Sequence, residues 1–293
     1  MTMPTSPHTT RPFGAHLSMA WWRPLLLVPG MLVLFLGMQV SFYAASALID
    51  GRDQVLTPDM TPTIQLANNL SVAVTALIAL IVTARLAKVP WRSLLSYPRT
   101  FDVHRLWVYG AVSVVLVAVG AGATAMIAPE TTGWVGFGLS GTTWALLAVS
   151  VLTSPLQSAG EELIFRSAMM PVIASWVRAV RPAIAIGIVI SSILFALLHG
   201  SADPWLFAYF TVVGLGTAVM AVISRGIEAP VAFHVANNLV TSVLNTTLAA
   251  GEAPVFERSA GAGCPSYLIL IAVNVAAVGV VWWRERPRKA DLR

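Results

Sequence analysis

Long apolar runs alternate with short polar breaks along this chain, and the run lengths predict helices rather than strands. A bilayer-spanning helix needs about 20 mostly apolar residues. Runs of that kind cover 24–49, 64–87, 106–128, 139–158, 160–180, 183–200, 204–224, 229–249 and 266–283. The later runs are separated by tight breaks at Pro182, Pro204, Gly226 and Pro230, and proline is tolerated in the first turn of a helix. Residues 1–20, rich in Thr, Pro and Ser, read as a disordered tail. The run after Arg23 passes Ala45-Ser46-Ala47, which imitates a cleavage site. It exceeds the roughly 7–15 residues of a secretory signal core, so it reads as an uncleaved first membrane helix.

Composition turns these runs into membrane segments. Hydrophobic residues make up 57% of the 293 and charged residues only 11%, against roughly 25% charged in a soluble domain. So few charges could not cover a water-facing surface, and lipid must solvate much of the chain. The expected fold is an all-α, polytopic membrane helix bundle. Its parts are a tail (1–20), a three-helix extension (21–128), a core (139–249), a final helix (266–283) and a basic cytoplasmic tail (284–293). The net charge of +5 does not indicate nucleic-acid binding, because the basic residues fall in short clusters between the runs. Arg11 and Arg23, the group from Arg85 to Arg105, Arg178 with Arg181, Arg225, and the group from Arg284 to Lys289 all fit a positive-inside pattern with both termini cytoplasmic. That pattern needs an even number of crossings. Eight are expected, with 139–158 and 160–180 sharing one; Pro155 lies near their junction, so one of the two would be interfacial or re-entrant. The location would be an integral, multi-pass position, in the inner membrane if the source is prokaryotic. Cys264 is the single cysteine, which excludes an internal disulfide and a multi-cysteine metal site.

Ionisable groups inside membrane segments cost at least about 2.5–3.5 kcal/mol on insertion scales and are functional candidates by default. Three clusters qualify. In Glu161-Glu162-Leu163-Ile164-Phe165-Arg166, Glu162 and Arg166 share a helix face and can neutralise one another, whereas Glu161 is turned away from that cation. Phe195 and His199 share a face at the end of a second run. His234 and Asn238 share one early in a third. Of five histidines, His8 and His16 lie in the tail and His104 in a basic loop, so His199 and His234 are the two within apolar segments. A carboxylate, two imidazoles and an amide are parts for activating water and stabilising an oxyanion, and equally parts for a metal. Asp203, just before Pro204, reads as a helix cap.

Glu-Glu-x-x-x-Arg, Phe-x-x-x-His and His-x-x-x-Asn, in this order over residues 140–250, resemble the motifs of the CPBP intramembrane proteases, the family of CAAX prenyl protease 2, ABI and bacteriocin-processing proteins. The resemblance implies peptide-bond hydrolysis of a membrane-anchored peptide or protein substrate. It implies that Glu161 is the general base and that His199 helps hold the water or metal. His234 and Asn238 would be further ligands or oxyanion stabilisers, with Glu162, Arg166 and Phe195 in support. It leaves open whether zinc is bound, with Glu161, His199 and His234 as ligands, or whether protein groups alone hold the water. Gly138-Leu139-Ser140-Gly141 matches the rhomboid Gly-x-Ser-Gly pattern, but the His-x-x-x-Asn helix follows it here instead of preceding it, so Ser140 reads as a packing residue. Two other functions compete: a non-catalytic scaffold or bacteriocin self-immunity protein of the same family, and a transporter using Glu161 and Arg166.

Overall fold

The computed structural model describes residues 11–286 apart from 56 and 58, and every regular element among them is helical. Several helices start or stop where the sequence supplies a cap. α1 (Arg23–Asp50) stops at Gly51, whose φ of 64° is left-handed backbone that glycine adopts without strain. α2 (Pro62–Ala87) follows Thr61, whose hydroxyl accepts from the Ile64 amide. α3 (Val103–Ile127) is capped by Asp102. α4 (Gly141–Glu162) is capped by Ser140, which forms a reciprocal box with Thr143. A π-helical stretch, Leu163–Met169, leads without a break from α4 into α5 (Met170–Ala174). Then come α6 (Val180–Leu198), α7 (Pro204–Ser224), α8 (Glu228–Thr247) and α9 (Tyr267–Glu285). Asp203 caps α7, accepting from the Trp205 and Leu206 amides, the role expected of it.

Among the described residues, six helices, α1, α2, α3, α6, α7 and α9, are long and apolar enough to cross a membrane. Their outward faces carry exposed Val33, Val40, Val115, Leu197 and Trp282, which suits lipid contact. α4 and α8 fall outside that set because ionisable and amide side chains, Gln157, Glu161 and Glu162 on α4 and Glu228, His234, Asn237 and Asn238 on α8, lower their hydropathy. α4 packs between α2 and α8, and α8 also lies against α3 and α7, so the polar helices occupy the middle of the bundle.

Two expectations need correction. The division between 158 and 160 is absent: Pro155 lies inside α4, and one rod runs from Gly141 to Ala174, turning into α6 only at 175–179. Proline removes one backbone donor, a loss that neighbouring helices and local side chains make tolerable in a membrane bundle. The tail is the second. Residues 1–10 and 287–293 lie outside the described residues, but 11–20 are packed rather than disordered. Phe13, Ala15 and Leu17 are fully buried, and Arg11 donates to the Val177 carbonyl at 2.8 Å. The apolar side chains Phe13, Ala15 and Leu17 dock the segment once a groove exists.

This geometry also places His234, which a simple up-and-down count puts too far from Glu161. Met170 shares one apolar cluster with Ile227 and Val231. Glu161 lies about two turns before Met170, and His234 about two turns after Ile227, so they reach one level. The α7–α8 turn is held there by segment 91–102. The Ile227 amide donates to Leu95, and buried Glu228 accepts two bonds from Arg99, at 2.5 and 2.7 Å, and one from the Asp102 amide. The entire first stretch of α8, Glu228–His234, is buried.

Candidate active site

Glu161 and Glu162 are the last two residues before the π-helical stretch, a local widening that often marks functional sites in helices. Gly160 beside them packs against Val72 and Ala76 of α2, where a Cβ would meet both at 3.3 Å. Both carboxylates turn inward and are buried.

His234 joins them. Its Nδ1 is 2.7 Å from Glu162 Oε1, and its Nε2 is 3.2 Å from Glu161 Oε2. A ring with a carboxylate at each nitrogen satisfies both by donation only when both nitrogens carry hydrogen. Glu162 Oε2 is 3.3 Å from Arg166 Nε, confirming the contact expected from their spacing. Arg166 is fully buried and reaches further: Nε and Nη2 donate to Thr217 Oγ1 at 3.0 and 2.7 Å. Its guanidinium lies over the Phe195 ring, 5.2 Å from the centroid. Such a cation over an aromatic face is favourable where water is excluded.

Phe195 is the hub of the aromatic part. Its ring also packs on His199 (4.5 Å between centroids) and edge-on to His234 (5.9 Å). His199 caps α6, with Nδ1 2.7 Å from the Phe195 carbonyl and its ring stacked on Phe210 at 4.0 Å. A carbonyl accepts only, so Nδ1 carries the hydrogen and Nε2 keeps a lone pair. His199 is half-buried and lies within electrostatic range of Glu161.

Asn238 departs from expectation. It shares the α8 face with His234, but its amide nitrogen donates to Gln157 Oε1 and Ser158 Oγ, both at 3.1 Å. Its oxygen accepts from Asn237. Gln157 in turn donates to Glu161 Oε1 at 2.7 Å. The structure thus brings Glu161, Glu162, Arg166, Phe195, His199 and His234 together and sets Asn238 one residue behind them. Gln157, Ser158 and Thr217 were not singled out from sequence. Gln157 could have been: it lies four residues before Glu161, on the same face.

Residues 139–240 match the family model described as type II CAAX prenyl endopeptidase Rce1-like. Over those residues the chain is similar to the Rce1-like family. The match spans about a third of the sequence and contains every motif residue named above, bearing out the resemblance those motifs carried. No curated protein and no solved structure matches the chain. α1–α3 lie outside the matched Rce1-like core, as does α9.

The donor set of that core does not present a ready zinc site. No group of three His, Cys, Asp or Glu side chains is arranged for a metal among the described residues. His234 turns one nitrogen to each carboxylate, and His199 commits Nδ1 to a carbonyl. What remains available is His199 Nε2 and a lone pair of Glu161 Oε2, whose 3.2 Å approach to His234 Nε2 is an ion-pair contact without hydrogen-bond geometry. An acceptor imidazole beside a carboxylate oxygen is an arrangement that can hold and deprotonate a water.

Proposed function

We propose that this protein is an intramembrane endopeptidase that hydrolyses a peptide bond in a membrane-associated substrate, with prenylated C-terminal peptides as the class to test first. The observation that carries the reading is the buried convergence of Glu161, Glu162 and His234, an arrangement far more costly than bundle packing requires. Glu161 Oε2 takes a proton from water as its oxygen attacks the scissile carbonyl carbon. His199 Nε2 accepts the water's other O–H and fixes its orientation. As Glu161 becomes protonated, the Nε2–H of His234 is released from its contact with Glu161 Oε2 and donates to the developing oxyanion. Collapse of the tetrahedral adduct breaks the C–N bond, and Glu161 returns its proton to the leaving amine. Glu162 holds His234 by Nδ1, and Arg166 balances Glu162. The substrate class rests on the family description of the Rce1-like core.

The test is cleavage of a panel of farnesylated, quenched fluorogenic peptides by the full chain in bilayer discs. Glu161→Gln is expected to abolish cleavage, and His199→Ala and His234→Ala to reduce it by at least about 100-fold. Undiminished cleavage by Glu161→Gln would sink the assignment. No cleavage of any peptide by the wild type would favour the scaffold reading.

A further inference from the structure

Gln157 stands outside the three motifs, yet it alone bridges the candidate base to the amide of α8. Its Nε2 donates to Glu161 Oε1 at 2.7 Å. Its Oε1 accepts from Asn238 Nδ2 at 3.1 Å and from the Ser158 hydroxyl at 3.2 Å. An amide has one accepting and one donating end. Because Asn238 and Ser158 both offer donors, Gln157 must present its oxygen to them, which leaves its NH2 group aimed at Glu161. Gln157 is itself buried, so water does not compete for these bonds.

We propose that Gln157 is the positioning residue of the base: it fixes the rotation of the Glu161 carboxylate and transmits the placement of Asn238 to it. The inference rests on the endopeptidase reading. With Oε1 held by Gln157, Oε2 is the oxygen turned towards His234 and free to take the proton from water. Asn238 then acts through Gln157. Both hydrogens of its amide are engaged by Gln157 and Ser158. Without Gln157 the carboxylate can rotate about its terminal torsion, which is broad for glutamate, and the reacting oxygen loses its bearing on the water.

Misplacement of a reacting group by about 1 Å costs roughly 100-fold in rate. Gln157→Met keeps the shape of the side chain and removes both bonds. With the cleaved farnesylated peptide as substrate, kcat is expected to fall about 100-fold with KM unchanged. The melting temperature of the same sample should stay near wild type. Gln157→Asn, which keeps the amide but is one methylene short of Glu161, is the second variant and is expected to show the same split. Ser154→Ala, a buried change elsewhere on α4, should leave kcat alone. In a double variant, Gln157→Met with Asn238→Ala should be no slower than the slower single, because both act on one carboxylate. Wild-type kcat in either folded Gln157 variant, or multiplicative losses in the double, overturns the proposal. Glu161→Gln separates the two readings. If it still cleaves, the endopeptidase assignment fails; if it is inactive while Gln157→Met is not, only the positioning role fails.

Discussion

Arg166 offers the sharpest test of how the buried charges are balanced. It is fully buried between Phe195 and Thr217, and Glu162, also fully buried, is its carboxylate partner. Arg166→Met preserves most of the apolar stem and deletes the guanidinium, leaving Glu162 with His234 alone. Removing one partner of a buried ion pair costs about 3–5 kcal/mol, because the other charge stays desolvated and uncompensated. His234 still holds Glu162 Oε1, so the lower end, about 3 kcal/mol, is expected. For a chain of this size that corresponds to a fall of roughly 6–12 °C in melting temperature. Adding Glu162→Gln should recover half of the loss or more. The amide oxygen still accepts from His234, and Thr217 keeps its own bond to the Val213 carbonyl. The measurement is thermal unfolding of wild type, both single variants and the double variant in one detergent. A melting point for Arg166→Met within about 2 °C of wild type, or losses that simply add in the double, would refute the charge-balance reasoning.

Three further outcomes are expected. Ser140→Ala should leave peptide cleavage intact and cost about 1 kcal/mol, because Ser140 caps α4 and its hydroxyl holds the Gly251 carbonyl at 2.6 Å; loss of cleavage with the fold intact would revive a serine mechanism. His16 is stacked between Phe13 and Tyr97, and burial, partly opposed by the Ser93 backbone, pushes it down to about 4 from 6.5. The unfolded chain therefore binds the proton more readily. The stability His16 contributes is complete above pH 6.5 and drains away as pH falls towards 4, amounting to about 3 kcal/mol, and His16→Phe should remove that part of the acid sensitivity in melting curves taken from pH 7.5 to 4.5. Treatment with a zinc chelator should leave the cleavage rate unchanged, since both nitrogens of His234 are engaged by carboxylates; a loss that zinc restores would mean that His234 turns from its partners to an ion.

The all-helical membrane bundle was legible because run length and charge depletion are properties of single segments. The caps were legible for the same reason: Asp203 sits in its local sequence context before Pro204. The pair Glu162–Arg166 and the face shared by Phe195 and His199 followed from a spacing of four. What was not legible depended on neighbours. Residues 11–20 look like a tail because they continue the Thr-, Pro- and Ser-rich stretch before them and are too short for a helix of their own, yet Phe13 and Leu17 are swallowed by a groove that other helices make. Pro155 looks like a stop, yet the helix continues through it, because one missing backbone donor is tolerated inside a packed membrane bundle. Arg99 reads as a member of a basic loop, and its bidentate grip on Glu228, more than a hundred residues on, appears only in three dimensions.

The same distinction separates the two ends of the His-x-x-x-Asn motif. Spacing of four puts His234 and Asn238 on one face but says nothing of the level each meets on α4. Because α4 runs on through Glu161 and α8 begins buried, His234 meets the pair of carboxylates and Asn238 falls about one turn further along, opposite Gln157. Two adjacent motif residues thus serve one carboxylate from different distances, His234 by contact and Asn238 through an intermediary. The register of α8 against α4 is therefore the quantity on which the whole arrangement turns. Glu228 and Arg99 set it from outside the site: anchoring the first turn of α8 to segment 91–102 fixes where its later turns arrive. The loop between α2 and α3, which carries none of the motifs, in this way decides the alignment of those that do.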